Sequence, residues 1–154
     1  MEKYLFLDID GVMNSEETLR KQIVRDPHPS GIDPYLALLV NRIIESTGCK
    51  VILSSAWRGS EKNHEYIERM IGSKLHDITG RCCSGIRGVE IHNWLTKNAK
   101  GFSSDGYRKG EHKVAILDDD SDMLLWQKDH FFKTSFKTGI TEEISLKVIE
   151  HLNR

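Results

Sequence analysis

Tyr4-Leu5-Phe6-Leu7-Asp8-Ile9-Asp10-Gly11-Val12 is the stretch that decides how this chain folds. Its opening apolar run, with no polar alternation, predicts a strand buried on both faces. Two carboxylates two residues apart follow at the C-terminal end of that strand. Near-extended geometry sends both side chains the same way, and Gly11 lets the chain turn sharply. In open parallel sheets, ligands sit outside the carboxyl ends of the strands. Asp8 and Asp10 therefore stand where a ligand would bind, as a pair suited to a hard cation such as magnesium.

Two further apolar runs end in polar residues. Lys50-Val51-Ile52-Leu53 leads into Ser54-Ser55, and Lys113-Val114-Ala115-Ile116-Leu117 leads into Asp118-Asp119-Asp120. Between the first two runs, Leu36, Leu39, Val40, Ile43 and Ile44 follow the helical period over 34–46, and Gly48 closes that helix. Further helices are expected over 60–71, 89–98 and 142–152, with Ser60 and Thr141 as N-caps. A fourth short strand is expected within 131–136. Strands alternating with helices predict an α/β fold: a Rossmann-like three-layer sandwich around a central, mainly parallel sheet. The polar stretches 14–33 and 100–111 read as loops near the site.

The bulk properties narrow the function classes. The 154 residues suffice for one domain with a real core, so 1–154 is read as a single domain. Lys plus Arg (22) nearly balances Asp plus Glu (23), for a net charge of -1. A chain-wide basic field for nucleic acid is thereby excluded, although Lys97, Lys100, Arg108, Lys109 and Lys113 could form a local patch. The cysteines, Cys49, Cys82 and Cys83, are odd in number with two adjacent, which argues against a disulfide scaffold and for a reducing cytoplasm. Zinc-ligand spacing is absent among the cysteines and histidines. The first residues show no signal-peptide pattern, and no apolar stretch approaches a membrane span, so no membrane partner is expected.

Asp8-x-Asp10-Gly11-Val12 resembles the first motif of the haloacid dehalogenase (HAD) superfamily of phosphotransferases. The strand ending in Ser54-Ser55 looks like the second motif, and Ile116-Leu117-Asp118-Asp119-Asp120-Ser121-Asp122 looks like the last, acidic one. A closer resemblance lies in Leu53-Ser54-Ser55-Ala56-Trp57-Arg58, in Arg87-Gly88-Val89-Glu90-Ile91-His92-Asn93-Trp94-Leu95 and in Gly139-Ile140-Thr141-Glu142-Glu143. These are similar to the small, nearly capless HAD domain of Swiss-Army-knife RNA repair proteins. The resemblance spans almost the whole chain. It implies a minimal cap and a phosphorylated substrate, either a nucleic-acid end or a nucleotide.

The chemistry needs a nucleophile, charge neutralisation and proton management. Asp8 would attack phosphorus and form an aspartyl-phosphate. Asp10 would protonate the leaving oxygen and then deprotonate water, so it must start protonated. Mg2+ would be held by Asp8, by Asp10 through its backbone carbonyl, and by Asp118 or Asp119. Ser54 or Ser55 would donate a hydrogen bond to a phosphoryl oxygen, with Ser55 favoured. The superfamily usually places a lysine before the acidic motif. Here Arg87 matches the RNA-repair pattern by position, and its planar fork could clamp two phosphoryl oxygens. Lys97, Lys100 and Lys113 are its rivals.

Structural readings compete with these. Asp8 and Asp10 could mark only a turn, Ser54-Ser55 could cap the next turn, and the acidic run could cap a helix beginning near Ser121. Trp57 and Trp94 read as packing residues before base-stacking platforms. Within the enzyme class, a magnesium-dependent phosphatase of nucleic-acid ends competes with a small-molecule or nucleotide phosphatase. In another class, a receiver-like module would carry its phosphorylated Asp on a middle strand, where this chain has serines. A catalytically inactive phosphate-binding module would not need the acids intact. Oligomeric state is open.

Overall fold

The computed structural model describes residues 1–20, 31–103 and 112–154. Among them, five strands form one sheet in the order β3-β2-β1-β4-β5. They are β1 (Glu2–Leu7), β2 (Lys50–Leu53), β3 (Asp77–Ile78), β4 (His112–Asp118) and β5 (Phe131–Lys133), and every pairing is parallel. The helices are α1 (Glu16–Arg20), α2 (Pro34–Thr47), α3 (Glu61–Ile71), α4 (Arg87–Asn98) and α5 (Glu142–Asn153).

The unbroken apolar runs follow from the layers. Along β1, Leu5 and Leu7 enter one core with Leu39, Val40 and Ile43 of α2, Ile67 of α3 and Val148 of α5. Tyr4 and Phe6 enter the other core with Ile91, Trp94 and Leu95 of α4. Because each face of β1 meets helices, a polar residue at either parity would be stranded. Leu5, Phe6 and Leu7 are completely buried, each contributing roughly 1.5–3 kcal/mol of transfer free energy. Trp94 packs edge-on to Tyr4 and Phe6.

The α2 ends are set locally. Pro34 opens the helix, the Asp33 carboxylate accepts the Tyr35 N–H at 2.9 Å, and Gly48 closes it in the left-handed region at φ 64°. The Thr141 hydroxyl likewise accepts the Ile144 N–H at the start of α5.

Other expectations shift. Ser60 occupies the N-cap position of α3 but makes no side-chain capping bond. α4 begins at Arg87, two residues before its expected start, and no α-helix begins near Ser121; a 3₁₀ turn spans Leu125–His130 instead. The last strand ends at Lys133, and β3 was not anticipated. Between β1 and α2, the described residues contain only the five-residue α1, in line with a minimal cap. No described helix is long and apolar enough to cross a membrane.

Candidate active site

The chain steps outward from β1 to β2 and β3, then returns to place β4 and β5 on the other side of β1. The carboxyl ends of β1 and β4 thus flank the point where connections diverge, which opens a crevice there. Leu7 is in register with both Leu53 and Leu117. The Ser54 N–H donates to Leu7 O at 2.9 Å, and the Asp8 N–H to Leu117 O at 3.0 Å. Asp8, Ser54 and Asp118 therefore leave the sheet at one level.

Asp8, Asp118 and Asp119 each place one carboxylate oxygen within 4.8 Å of the others. The turn after β1 is fitted around the third acid. Gly11 has φ +77°, and a Cβ built there would lie 2.2 Å from Asp119 Oδ2. The end of β5 ties the two turns together. The Thr134 hydroxyl donates to Gly11 O at 2.6 Å, and its N–H to Asp118 O at 3.0 Å.

Crowding and burial push all three carboxyls upward. For Asp8 burial dominates, opposed by hydrogen bonds from the Ile9 backbone and Ser55 and by the Arg87 charge. For Asp118, which is 2% exposed, burial acts first and the Asp8 charge second. For Asp119 burial is followed by the charges of Asp120 and Asp10, with Lys133 opposing. Three acids crowd one desolvated site, with the guanidinium of Arg87, shared with Glu90, and the ammonium of Lys133 at its edge to oppose them. A hard, all-oxygen donor set of this kind fits Mg2+, whose binding would remove the repulsion.

Asp10 is held apart from that cluster. Its Oδ1 accepts the Asn14 amide at 2.9 Å, and its Oδ2 accepts the Trp57 indole N–H at 3.1 Å. Asn14 in turn accepts the Gly11 N–H at 3.0 Å and donates to Gly31 O at 3.0 Å. The serines differ. Ser55 caps the 3₁₀ turn Ala56–Gly59, its hydroxyl oxygen accepting the Trp57 N–H at 3.3 Å. The Ser54 hydroxyl is buried and has no hydrogen-bond partner among the described residues.

Arg87 stands in the first turn of α4, with Nε 3.5 Å from Asp118 Oδ2 and Nη1 3.3 Å from Glu90 Oε2. The helix start is pinned to the loop after β4. Asp122 accepts the Arg87 N–H at 2.7 Å through Oδ2 and the Gly88 N–H at 3.1 Å through its backbone carbonyl. Buried Gln127 closes the junction. Its amide donates to Gly88 O at 2.9 Å, and its oxygen accepts the Leu124 N–H at 2.7 Å. A Cβ on Gly88 would lie 2.6 Å from Gln127 Oε1 and 2.7 Å from Leu124 N, so only glycine lets α4 come this close.

The structure thus brings Asp8, Asp118, Asp119 and Arg87 together, sets Asp10 beside them, and places Ser54 and Ser55 at the neighbouring strand end. The rivals of Arg87 lie elsewhere. Lys113 pairs with Lys3 at the amino end of β4, five positions and about 16 Å from Asp118 at ~3.3 Å per residue. Lys97 lies in the last turn of α4 and Lys100 just beyond it, where the chain returns toward the amino edge. Arg108 and Lys109 lie outside the described residues. Asp122, part of the acidic run, serves as a helix cap. Trp57 and Trp94 are both buried, and Trp94 donates to Asp77 at 2.7 Å. Cys83 is exposed and Cys82 half-buried, so neither packs in the core. Lys133, in register with Asp118 and donating to Ser121 Oγ, is a site-edge cation that sequence reasoning did not single out. Asn14, Arg58 and Glu90 were likewise not assigned roles; Arg58 meets Glu90 and Thr79 only in the folded chain, whereas Asn14 has local partners in Asp10 and Gly11.

Residues 4–144 match the family model described as the HAD domain in Swiss Army Knife RNA repair proteins. Searches of curated proteins and of solved structures returned no match.

Proposed function

The chain belongs to the family of HAD domains in Swiss Army Knife RNA repair proteins, and from that premise we propose that it is a magnesium-dependent phosphomonoester hydrolase acting through Asp8. The observation that carries the reading is the convergence of Asp8, Asp118 and Asp119 beside Arg87 at the carboxyl ends of β1 and β4.

Each residue has work to do in this scheme. An Asp8 oxygen attacks phosphorus while the bond from phosphorus to the ester oxygen breaks, leaving an aspartyl-phosphate. Asp10 gives its proton to the departing oxygen. It then takes a proton from the water that attacks phosphorus and releases phosphate and the free Asp8 carboxylate. The Trp57 and Asn14 donors, one on each oxygen, orient the Asp10 side chain for both transfers. Arg87 clamps phosphoryl oxygens through its fork. Ser54, whose buried hydroxyl is unpaired among the described residues, is the better donor to a phosphoryl oxygen, and Ser55 supports Asp8. Magnesium, held by Asp8, Asp118 and Asp119 with the Asp10 carbonyl, would neutralise charge on the transferring group.

The family's description and the small insertion between β1 and α2 support a phosphorylated nucleic-acid end as substrate. An enclosing cap would suit a small ester, whereas an open crevice admits a polymer terminus. The test is a magnesium-supplemented screen of 3′- and 5′-phosphorylated oligonucleotides, mononucleotides and sugar phosphates, run beside Asp8→Asn. Turnover that is fastest on an oligonucleotide end, is lost in chelator and is absent from folded Asp8→Asn is expected. Equal rates on mononucleotides would move the substrate to small molecules, and substantial activity in Asp8→Asn would remove the nucleophile assignment.

A further inference from the structure

One buried carboxylate joins two turns of the site. Glu90, on α4, is 3% exposed and accepts four hydrogen bonds. Arg58 donates two of them, through Nη1 at 2.7 Å and Nη2 at 3.0 Å, and the Cys82 N–H donates a third at 3.1 Å. The fourth comes from Arg87 Nη1 at 3.3 Å. Arg58 sits in the 3₁₀ turn that follows Ser54-Ser55, and its Nη1 also donates to Thr79 at 2.9 Å.

Exposure rises outward along this chain of charges, from 3% for the Glu90 side chain and 10% for Arg58 to 18% for Arg87. Burial pushes Glu90 up, yet hydrogen bonds from Arg58 and the Cys82 backbone and the charges of both arginines hold it below the usual carboxylate range. The carboxylate is therefore charged, and Arg58 supplies its main compensation. Arg87 needs something different. Its long side chain has many rotamers, and ordering it on each turnover would cost entropy. With Nη1 fixed on Glu90 and Nε facing Asp118, the guanidinium is orientated before substrate arrives.

We propose that Glu90 is a positioning residue for Arg87, and that Arg58 acts as the buried counter-charge that lets Glu90 do this. The proposal rests on the phosphatase reading of the site. It makes Glu90 part of the phosphoryl clamp without contact with substrate, and links the clamp to the turn carrying the two serines.

The test is a double-mutant cycle on kcat/KM with a generic phosphate ester. Glu90→Gln keeps the shape but removes the charge, and should lower kcat/KM about ten- to hundredfold in the native background. In the Arg87→Ala background the same change should cost about twofold or less, while any loss of Tm persists in both. Glu90→Asp keeps the charge but shortens the reach, and carries the same cycle if Glu90→Gln does not fold. An equal fold-loss in both backgrounds, or undiminished activity, overturns the proposal. A second readout does not depend on turnover: the Nε–Hε NMR resonance of Arg87, identified by its loss in Arg87→Ala. It should be sharp in the native protein and shifted or broadened in either Glu90 variant, and an unchanged resonance overturns the proposal. If the native protein hydrolyses no phosphate ester, the phosphatase reading fails, and the resonance still decides whether Glu90 orientates Arg87.

Discussion

Replacing Gly11 with alanine separates the stability of the site from its grip on metal. The new Cβ would lie 2.2 Å from Asp119 Oδ2 and 2.4 Å from its Cγ, far inside ordinary contact. Asp119 is only partly buried, so its carboxylate can swing toward solvent, but its Cβ, 2.8 Å from the new one, is fixed to the backbone, and the two turns must part slightly as well. To that is added the left-handed backbone at φ +77°, a penalty of roughly 1–2 kcal/mol for a residue with a Cβ. In a chain of this size the backbone cost alone lowers Tm by roughly 2–8 °C. On the proposed metal site the displaced carboxylate has a larger effect, weakening magnesium about tenfold or more, as disturbed ligand support commonly does. At a magnesium concentration about 100 times the native Kd, binding stabilises the native protein by about 2.7 kcal/mol, and a tenfold weaker site retains about 1.4 kcal/mol. The magnesium-induced rise in Tm should therefore shrink by about 3–5 °C. Thermal denaturation followed by fluorescence, with and without magnesium, measures both quantities. In an Asp119→Ala background, Gly11→Ala should keep its backbone penalty but leave the magnesium response unaltered. If Gly11→Ala in the otherwise native chain retains the full magnesium-induced shift, Asp119 is not a ligand and the reasoning fails.

Three other outcomes are expected. Arg87→Lys should lower kcat/KM about tenfold or more, because a point charge replaces a fork; Lys113→Ala, at the opposite end of β4, should leave it within about twofold, and the reverse ranking would identify the wrong cation. Gly88→Ala should lower Tm despite the better helix propensity of alanine, since overpacking against Gln127 and the Leu124 backbone costs about 1–3 kcal/mol; a rise in Tm would contradict the close approach. Burial, and for His130 the neighbouring His151 charge, hold both rings below the ordinary histidine value. The unfolded chain thus takes up these protons first, so the contribution of the two histidines is full above about pH 6.5 and falls as pH drops below it. Asp8, Asp118 and Asp119, raised in the folded chain, act in the opposite sense over the same range, so the histidine effect is read as a difference: the urea midpoint of the native protein minus that of a double His130→Gln, His151→Gln variant should fall from pH 8 to pH 5.

The parts of this fold legible in the sequence are those whose causes are local. β1, β2 and β4 were readable because burial on both faces leaves unbroken apolar runs, and α2 because its stripe, its proline and its closing glycine all lie within its own span. β3 could not be read: its two residues, Asp77 and Ile78, are exposed and carry no pattern. The early start of α4 depends on Asp122, 35 residues away, which caps it. The acidic run Asp118 to Asp122 was visible as a unit but does several jobs. Asp118 and Asp119 face Asp8, Asp120 accepts the Ser121 N–H, and Asp122 holds a helix. Asp8 and Asp10 announced themselves by spacing, whereas the Trp57 partner of Asp10 and the Arg58 partner of Glu90 are tertiary. Trp57 reaches Asp10 across 47 residues and Arg58 reaches Glu90 across 32, distances over which no periodicity carries information.

The central place of β1 bears on how such a site keeps time. β1 is hydrogen-bonded on both edges and covered on both faces, so its amides should exchange with solvent only when the whole sheet opens. Asp8, the proposed nucleophile, is mounted on the slowest part of the molecule. Arg87 and Asp119, in contrast, lie beyond the strand ends, held by the hydrogen bonds of Asp122 and Thr134 rather than by strand pairing. Strain from repeated rounds of binding and release would then fall on those few bonds before it reached any strand pair of β1.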